Sequence, residues 1–373
     1  MPQAVQSALE PVRGMGHLGR TMDRTAAPKG PSIALFSAIT LMPVGLIVLG
    51  AWAGGIWVWA ALIYLTLLTF LMDQLIATVT PNAPEGAEFP GADPLSVALA
   101  LGHFAVLISG IAGVSGHSAL NTPERIALFF AAGLFMGQVS NANAHELIHR
   151  SRRGLFRLGM WVYISLFYGH HTSAHRLIHH RFVATPDDPN SAPLGQSYYR
   201  FAPRAWIGSF RAGLSAERAR AAAWWRTPYV LYVGGAAGCL LASGLIFGVA
   251  GAVAHIALAT YATAQLILSD YVQHYGLRRA TVDGRPEPVD QRHSWDAPQW
   301  FTSYLMLNAP RHSDHHAHPA RPYPALRLGE RGSGPRLPLS LPAMATVALF
   351  PTLWRRVMDK RVARWMPDET GAE

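Results

Sequence analysis

The strongest constraint on this chain is a series of uninterrupted apolar runs, at residues 32–53, 55–72, 95–116, 124–143, 229–248 and 250–269. Each approaches the ~20 residues that an α-helix needs to cross the hydrocarbon core of a bilayer. Lipid offers no partner for a backbone amide, so such runs must satisfy their own hydrogen bonds as helices. The pattern therefore predicts an all-α, polytopic integral membrane protein with six transmembrane helices. "AGG" separates the first two runs and "GVAG" the last two, which makes both pairs hairpins. Only 14% of the residues are charged, against about 25% in soluble domains.

Lysine and arginine orient the spans. Arg13, Arg20, Arg24 and Lys29 precede the first run, and Arg150, Arg152, Arg153 and Arg157 follow the fourth. The segment 115–123 and the hairpin tips carry none. Positive charge stays inside, so the N-terminus faces the cytoplasm of a bacterial-type inner (plasma) membrane. Residues 1–30 read as a loose cytoplasmic tail, 31–362 as one membrane domain and 363–373 as a C-terminal tail. The stretch "LFRLGMWVYISLFYGHH" (155–171) is short and studded with polar residues, so it lies at the interface or dips into the protein. "LPAMATVALFPTLWRRVMDKRVARW" (341–365) is broken by proline and followed by Arg355, Arg356, Lys360 and Arg361. It reads as an amphipathic interfacial helix. The net charge of +9 sits mostly at the ends of apolar runs, without a nucleic-acid-binding motif. Nucleic acid is not an expected partner; the lipid bilayer is.

Histidine is the anomaly: 17 residues. Nine fall in four clusters: "HELIH" (His145, His149), "HRLIHH" (His175, His179, His180), "QHYGL" (His274) and "RHSDHH" (His312, His315, His316). Helical residues three and four apart share a face, so His145/His149, His175/His179 and His312/His315/His316 each point one way, with His180 in reach of the same region. On the sidedness above, all four clusters are cytoplasmic. HELIH alone is the signature of a zinc protease with Glu146 as base. Zinc, however, closes its shell at four ligands, which would leave most of these imidazoles idle. Two ions account for all nine, and iron suits nitrogen donors with few carboxylates nearby. The one cysteine, Cys239, supports neither an iron–sulfur cluster nor a cysteine-rich zinc site.

The other histidines are His17, His103, His117, His170, His171, His255, His293 and His318. His103 and His255 lie inside spans and read as hydrogen-bonded packing residues; His170 and His171 could stand behind the ligands. His318 lies beyond the face set by His312 and His316. Carboxylates should fix the ligands' tautomers, and the candidates are Glu146, Asp187, Asp188, Asp270 and Asp314. Trp57, Trp59 and Tyr64 in the second run are candidates to line a substrate channel.

At these motifs the sequence resembles the integral-membrane alkane 1-monooxygenases, within the wider superfamily of membrane di-iron hydroxylases and desaturases. The carrying stretches are "HELIHR", "HRLIHHRFVATPDDPNSAPLGQSYYRF", "QHYGL", "HSW", "RHSDHHAHPARPYPALR" and "PTLWRRVMDKRV", and the likeness covers roughly residues 60–362. It implies a non-haem di-iron centre whose ligands match onto the same nine histidines. It also implies hydroxylation of the terminal carbon of n-alkanes to 1-alkanols, using O2 and two electrons from a rubredoxin (or ferredoxin) with its NAD(P)H-dependent reductase. An acidic carrier would suit a basic face of Arg150, Arg152, Arg153, Arg311, Arg321 and Arg327. Two positions depart from the alkane pattern: Ala174 and Gln273 stand where that family usually has glutamate. There the chain is similar to the xylene monooxygenase hydroxylases, so a methyl-aromatic hydroxylase, or a fatty acyl hydroxylase or desaturase, is the alternative. An intramembrane zinc protease is the remote one.

Overall fold

Residues 30–366 are described by a computed structural model. The tail 1–30 thus lies outside the described residues save for its last position, as does most of 363–373. Helices α1 (Ile33–Ala53), α2 (Ile56–Leu75), α3 (Ala92–Val114) and α4 (Thr122–Ile148) follow one another. After them come α5 (Arg153–Ser165) and α6, built from His171–Ala174, His175–His179 and His180–Phe182. Next are α7 (Tyr198–Arg220) and α8 (Tyr229–His274). Then come a small hairpin, Thr281–Val282 with Arg285–Pro286, and the short helices α9 (Trp300–Leu305) and α10 (His312–Ala317). The described chain closes with α11 (Leu341–Ala348) and α12 (Pro351–Val362).

Among the described residues, five helices are long and apolar enough to cross a membrane: α1 to α4 and α8. α8 has 46 residues and folds back on itself. Gly248 takes φ 66°, a left-handed conformation that glycine adopts without cost. Ser243 Oγ then lies 2.8 Å from His255 Nδ1, whereas twelve residues of straight helix would separate them by about 18 Å. The arms 229–247 and 249–274 are therefore antiparallel. The C-terminal apolar run is divided at Pro351 into α11 and α12, and neither could span.

Exposure separates the two kinds of surface. Trp52, Ile56, Leu241, Leu245 and Val249 are all more than half exposed, an apolar skin that water would not tolerate but lipid solvates. The buried core holds α3, α4 and the 249–274 arm, where Leu99, Leu128, Phe135, Leu258 and Ala259 are fully enclosed. α5 dips into this core: Ser165 Oγ is 2.8 Å from His103 Nε2, and its carbonyl accepts from His255 Nε2 at 2.8 Å. His103 and His255 are thus hydrogen-bonded packing residues between α3, α5 and α8.

One end of the bundle gathers the remaining structure. There the start of α1 meets Tyr304 and Tyr323 through Phe36. Asp73 near the end of α2 accepts from the backbone and hydroxyl of Thr302. Asp93 at the start of α3 pairs with Arg150 and Arg152. α12 closes the floor, burying Trp354, Met358 and Val362 at a four-residue spacing; Trp354 packs on Tyr271 and Tyr275, and Tyr275 donates to Asp359 at 2.7 Å. All four histidine clusters stand at this end.

Candidate metal centre

The nine clustered imidazoles converge into two groups, and within each the ligand-capable atoms lie within 4.8 Å of one another. The first holds His145, His149, His175, His180 and His315; the second holds His179, His274, His312 and His316. The four supporting elements are the ends of α4 and α8 and the short helices α6 and α10, packed head to head.

Within the first group Nε2 of His175 is 2.7 Å from that of His145 and 2.9 Å from that of His180, which is 3.1 Å from that of His315. Within the second, His312 Nε2 lies 3.0 Å from that of His274 and 3.1 Å from that of His316. A ring nitrogen carries one proton or one lone pair, so it cannot serve two such neighbours well. Two imidazole nitrogens bound at right angles to one ion at about 2.0–2.1 Å would be about 2.9 Å apart. The spacing fits nitrogens aimed at a common cation. His149 Nε2 and His179 Nε2 are buried without a hydrogen-bond partner, as free donors to a metal would be.

The partition corrects two expectations, that His175 and His179 share a direction and that His312, His315 and His316 do. His175 and His179, four residues apart, do not share a target; His175 pairs with His180, and His179 turns to the second group. The cause is a π turn at His175–His179, in which the His180 amide reaches back to the His175 carbonyl. The wider turn brings positions five apart onto one face. In α10 His312 and His316 enter the second group while His315, which lies between them in sequence, enters the first.

Burial, reinforced by neighbouring imidazoles, holds His175, His180, His312, His315 and His316 well below the ordinary imidazole range. His149 is held down in the same way, with Arg176 adding to it. Neutral rings present lone pairs, which is the state a metal requires.

Similarity searches agree with this geometry. Residues 123–348 match the fatty acid desaturase family. The chain is 31% identical over 326 residues to alkane 1-monooxygenase 2 of Pseudomonas aeruginosa, covering 84% of this chain and 86% of that one. The chain belongs to the alkane 1-monooxygenase family. Alkane 1-monooxygenase of Acinetobacter baylyi is 32% identical over 246 residues, 64% of this chain and 60% of its own. The hydroxylase component of xylene/toluene monooxygenase from Pseudomonas putida is 26% identical over 329 residues, 84% of each chain. As a member of this family the chain is a membrane-embedded oxidoreductase of the monooxygenase type.

In this monooxygenase the carboxylates expected behind the histidines divide by contact. Asp188 Oδ2 lies 2.8 Å from His179 Nδ1. Asp270 Oδ2 accepts from Asn190 at 2.6 Å, in the loop that holds Asp188. Glu146 is turned to Arg150 Nη2 at 2.8 Å and to the Tyr323 amide at 3.2 Å, so HELIH does not present it as a free base. Asp314 is engaged by Arg321, His318 and the Arg327 amide and braces the segment after α10. Its hydrogen bonds go to these three and to none of the nine rings. Asp187 is exposed.

Trp57 and Trp59 are 42% and 44% exposed on the outer face of α2. Tyr64 is turned inward, donating to the Ile39 carbonyl at 2.9 Å and packing near Phe301. Arg311 is fully buried, bonded to Asn82, Leu326 and Thr80, and leaves the basic face. His171 packs against His175 with ring centroids 4.9 Å apart, and His170 reaches Ser209.

Asp296 was not legible in the sequence. It accepts from the Ser313 amide at 2.9 Å and its hydroxyl at 2.6 Å, fixing the start of α10. A lone aspartate in "HSWDAP" carries no spacing signal; only the fold brings it beside residue 313.

Proposed function

We propose that this protein hydroxylates the terminal carbon of n-alkanes to 1-alkanols, with two iron ions held by the nine histidines. The balanced reaction is R–CH3 + O2 + 2e⁻ + 2H⁺ → R–CH2OH + H2O. The supporting observation is the division of nine imidazoles into sets of five and four, with one member of each set, His145 and His312, on the wall of one cavity. Five nitrogens exceed the four that zinc takes and suit an ion of higher coordination number, and the histidine-rich donor set suits iron. When bound, the iron pair supplies the dioxygen chemistry that attacks an unactivated C–H bond.

The chain's residues do the rest. Asp188 accepts from His179 Nδ1–H and so directs Nε2 at the metal. Leu266 and Met306 form the apolar part of a cavity that also touches His145 and His312 and is otherwise polar through Asn141, Ser269, Asp270 and Gln273; a hydrocarbon end would rest against those two side chains. α8 contributes two crossings, making six, with the histidine end on the cytoplasmic side of a bacterial inner membrane. Electrons would come from a rubredoxin-type carrier and its NAD(P)H-dependent reductase. Of the basic docking face Arg152 and Arg153 are exposed and Arg150, Arg321 and Arg327 partly so; a reduction rate indifferent to salt would count against that docking.

Gln273 favours a second reading. It stands just before His274 and lines the same cavity, where a neutral amide replaces the acid usual in the alkane enzymes. Methyl-aromatic hydroxylation is therefore the alternative. Oxygen uptake and product analysis with octane, xylene and a fatty acyl substrate separate the two. 1-Octanol as the main product supports the first reading, and a preference for xylene replaces it with the second.

A further inference from the structure

Two adjoining cavities lie between α4 and the 249–274 arm of α8, the outer one also against α11. The inner one is the cavity already described, touching His145 and His312. The outer one is lined by Gln138 of α4, Gln265 and Leu268 of α8, and Leu341 and Ala345 of α11. Both share Ser269 and Met306 as a common wall.

The outer cavity sits at membrane depth. Gln138 precedes His145 by seven residues and Gln265 precedes His274 by nine, about 10 and 13 Å along their helices. Its rim, Gln265, Pro342 and Ala345, is partly exposed. The turn after α11 carries Phe350, 61% exposed, and Leu349, which seat that hairpin in the lipid interface. The mouth therefore opens sideways, toward lipid.

The wall is not what a hydrocarbon path needs. Four hydrogen-bonding side chains follow one another along it: Gln138, Gln265, Ser269 and Gln273. Gln138 donates to Gln265 Oε1 at 3.3 Å, Gln265 donates to the Gly133 carbonyl at 3.1 Å, and Ser269 donates to Gln273 Oε1 at 3.0 Å. Amide pairs of this kind join membrane helices. Helix joining does not account for Gln138 Oε1, which is buried and has no hydrogen-bond partner. An acceptor left open inside a membrane span is costly, and an alkane cannot use it. A hydroxyl can. Gly137 keeps the helices close here, since a Cβ would come within 2.8 Å of Gln265 Cβ and 3.0 Å of the Ala262 carbonyl.

Resting on the hydroxylase reading, we infer that this is the lateral exit for the hydroxylated product. The alcohol passes Ser269 and Met306, donates its O–H to Gln138 Oε1, and leaves between α4, α8 and α11 into the bilayer.

The test is photolabelling of the full-length protein in lipid nanodiscs, without reductant, by a diazirine-bearing long-chain 1-alcohol and by the matching diazirine hydrocarbon. The alcohol labels residues 133–142, 262–273 and 338–348 about fivefold more than the hydrocarbon, the ratio one hydrogen bond gives. Ala345→Trp, which fills the mouth, removes the label, and Gln138→Leu erases the preference for the alcohol. In turnover, Ala345→Trp leaves the first cycle intact and slows the steady state several-fold. Equal labelling by both probes, or labelling that survives Ala345→Trp, overturns the inference. Labelling needs no turnover, so a failure of the hydroxylase reading shows separately, as wild-type protein that makes no alcohol.

Discussion

His179 Nδ1 lies 2.8 Å from Asp188 Oδ2, and both side chains are buried. Asp188 also accepts from the Ser191 hydroxyl at 2.7 Å and the Asn190 amide at 3.0 Å, so the loop 188–191 holds the carboxylate that holds the ring. Burial drives the proton off His179, but the facing Asp188 charge outweighs it and raises the imidazole on balance. Asp188 is correspondingly lowered: burial alone would raise it, but His179 and its hydrogen-bond donors prevail. The ring's tautomer is thereby set, with Nε2 left for a metal.

Asp188→Asn keeps the shape of that contact and removes its charge. Metal affinity should fall by about 10–100-fold, the usual cost of losing a carboxylate behind a histidine ligand, while the helical fold persists. Iron titration of the stripped protein, with circular dichroism as the control, measures both. Unchanged affinity would mean that Asp188 serves the loop rather than the ring.

His312 and His315 sit one helical turn apart yet belong to different groups. His312→Ala and His315→Ala should therefore each lose iron from a different site, leaving about one ion per chain in place of two. Metal analysis gives the stoichiometry, and Mössbauer spectra of the two variants should show two different surviving environments. Loss of both ions from either variant would mean that the groups load only as a pair.

The nine histidines were legible because two signals coincide in sequence: helical spacing and position at the ends of apolar runs. How they divide was not, because face arguments assume 3.6 residues per turn and the π turn at His175–His179 departs from that. The long apolar helices were legible from hydropathy, and the fold-back at Gly248 from the glycines in "GVAG". Trp57 and Trp59, candidates for a channel wall, are exposed; bulk alone does not say which side of a helix meets lipid. Arg311 is the opposite case: nothing local marks an arginine whose partners, Thr80, Asn82 and Leu326, come from distant segments.

Asp296 anchors α10 through Ser313 alone among the side chains of that helix. Asp296→Ala leaves the Ser313 amide buried without its acceptor, which costs about 1–3 kcal/mol. Ser313→Ala removes only the hydroxyl contact and should cost less. Thermal unfolding of the metal-free protein ranks the two. Iron binding at the His179, His274, His312 and His316 group should weaken in the same order, and an inverted order would place the anchor elsewhere.

The histidine centre also makes stability depend on pH, with a definite sign. Burial, then neighbouring imidazoles, holds His175, His180, His312, His315 and His316 well below their ordinary value, and His149 is lowered likewise. Unfolding returns each to about 6.5, so below that pH the unfolded chain binds more protons than the folded one. Stability from these groups is complete above about pH 6.5 and is lost as pH falls toward the lowered folded values. His179, raised by Asp188, works in the other direction, but it is one ring against six. The thermal midpoint of metal-free protein in nanodiscs should fall steadily between about pH 7 and about pH 5, and iron should dissociate over the same acid range, because protonated imidazoles cannot ligate. A midpoint that stays level, or rises, would mean that the rings are protonated in the folded state and that water reaches the centre.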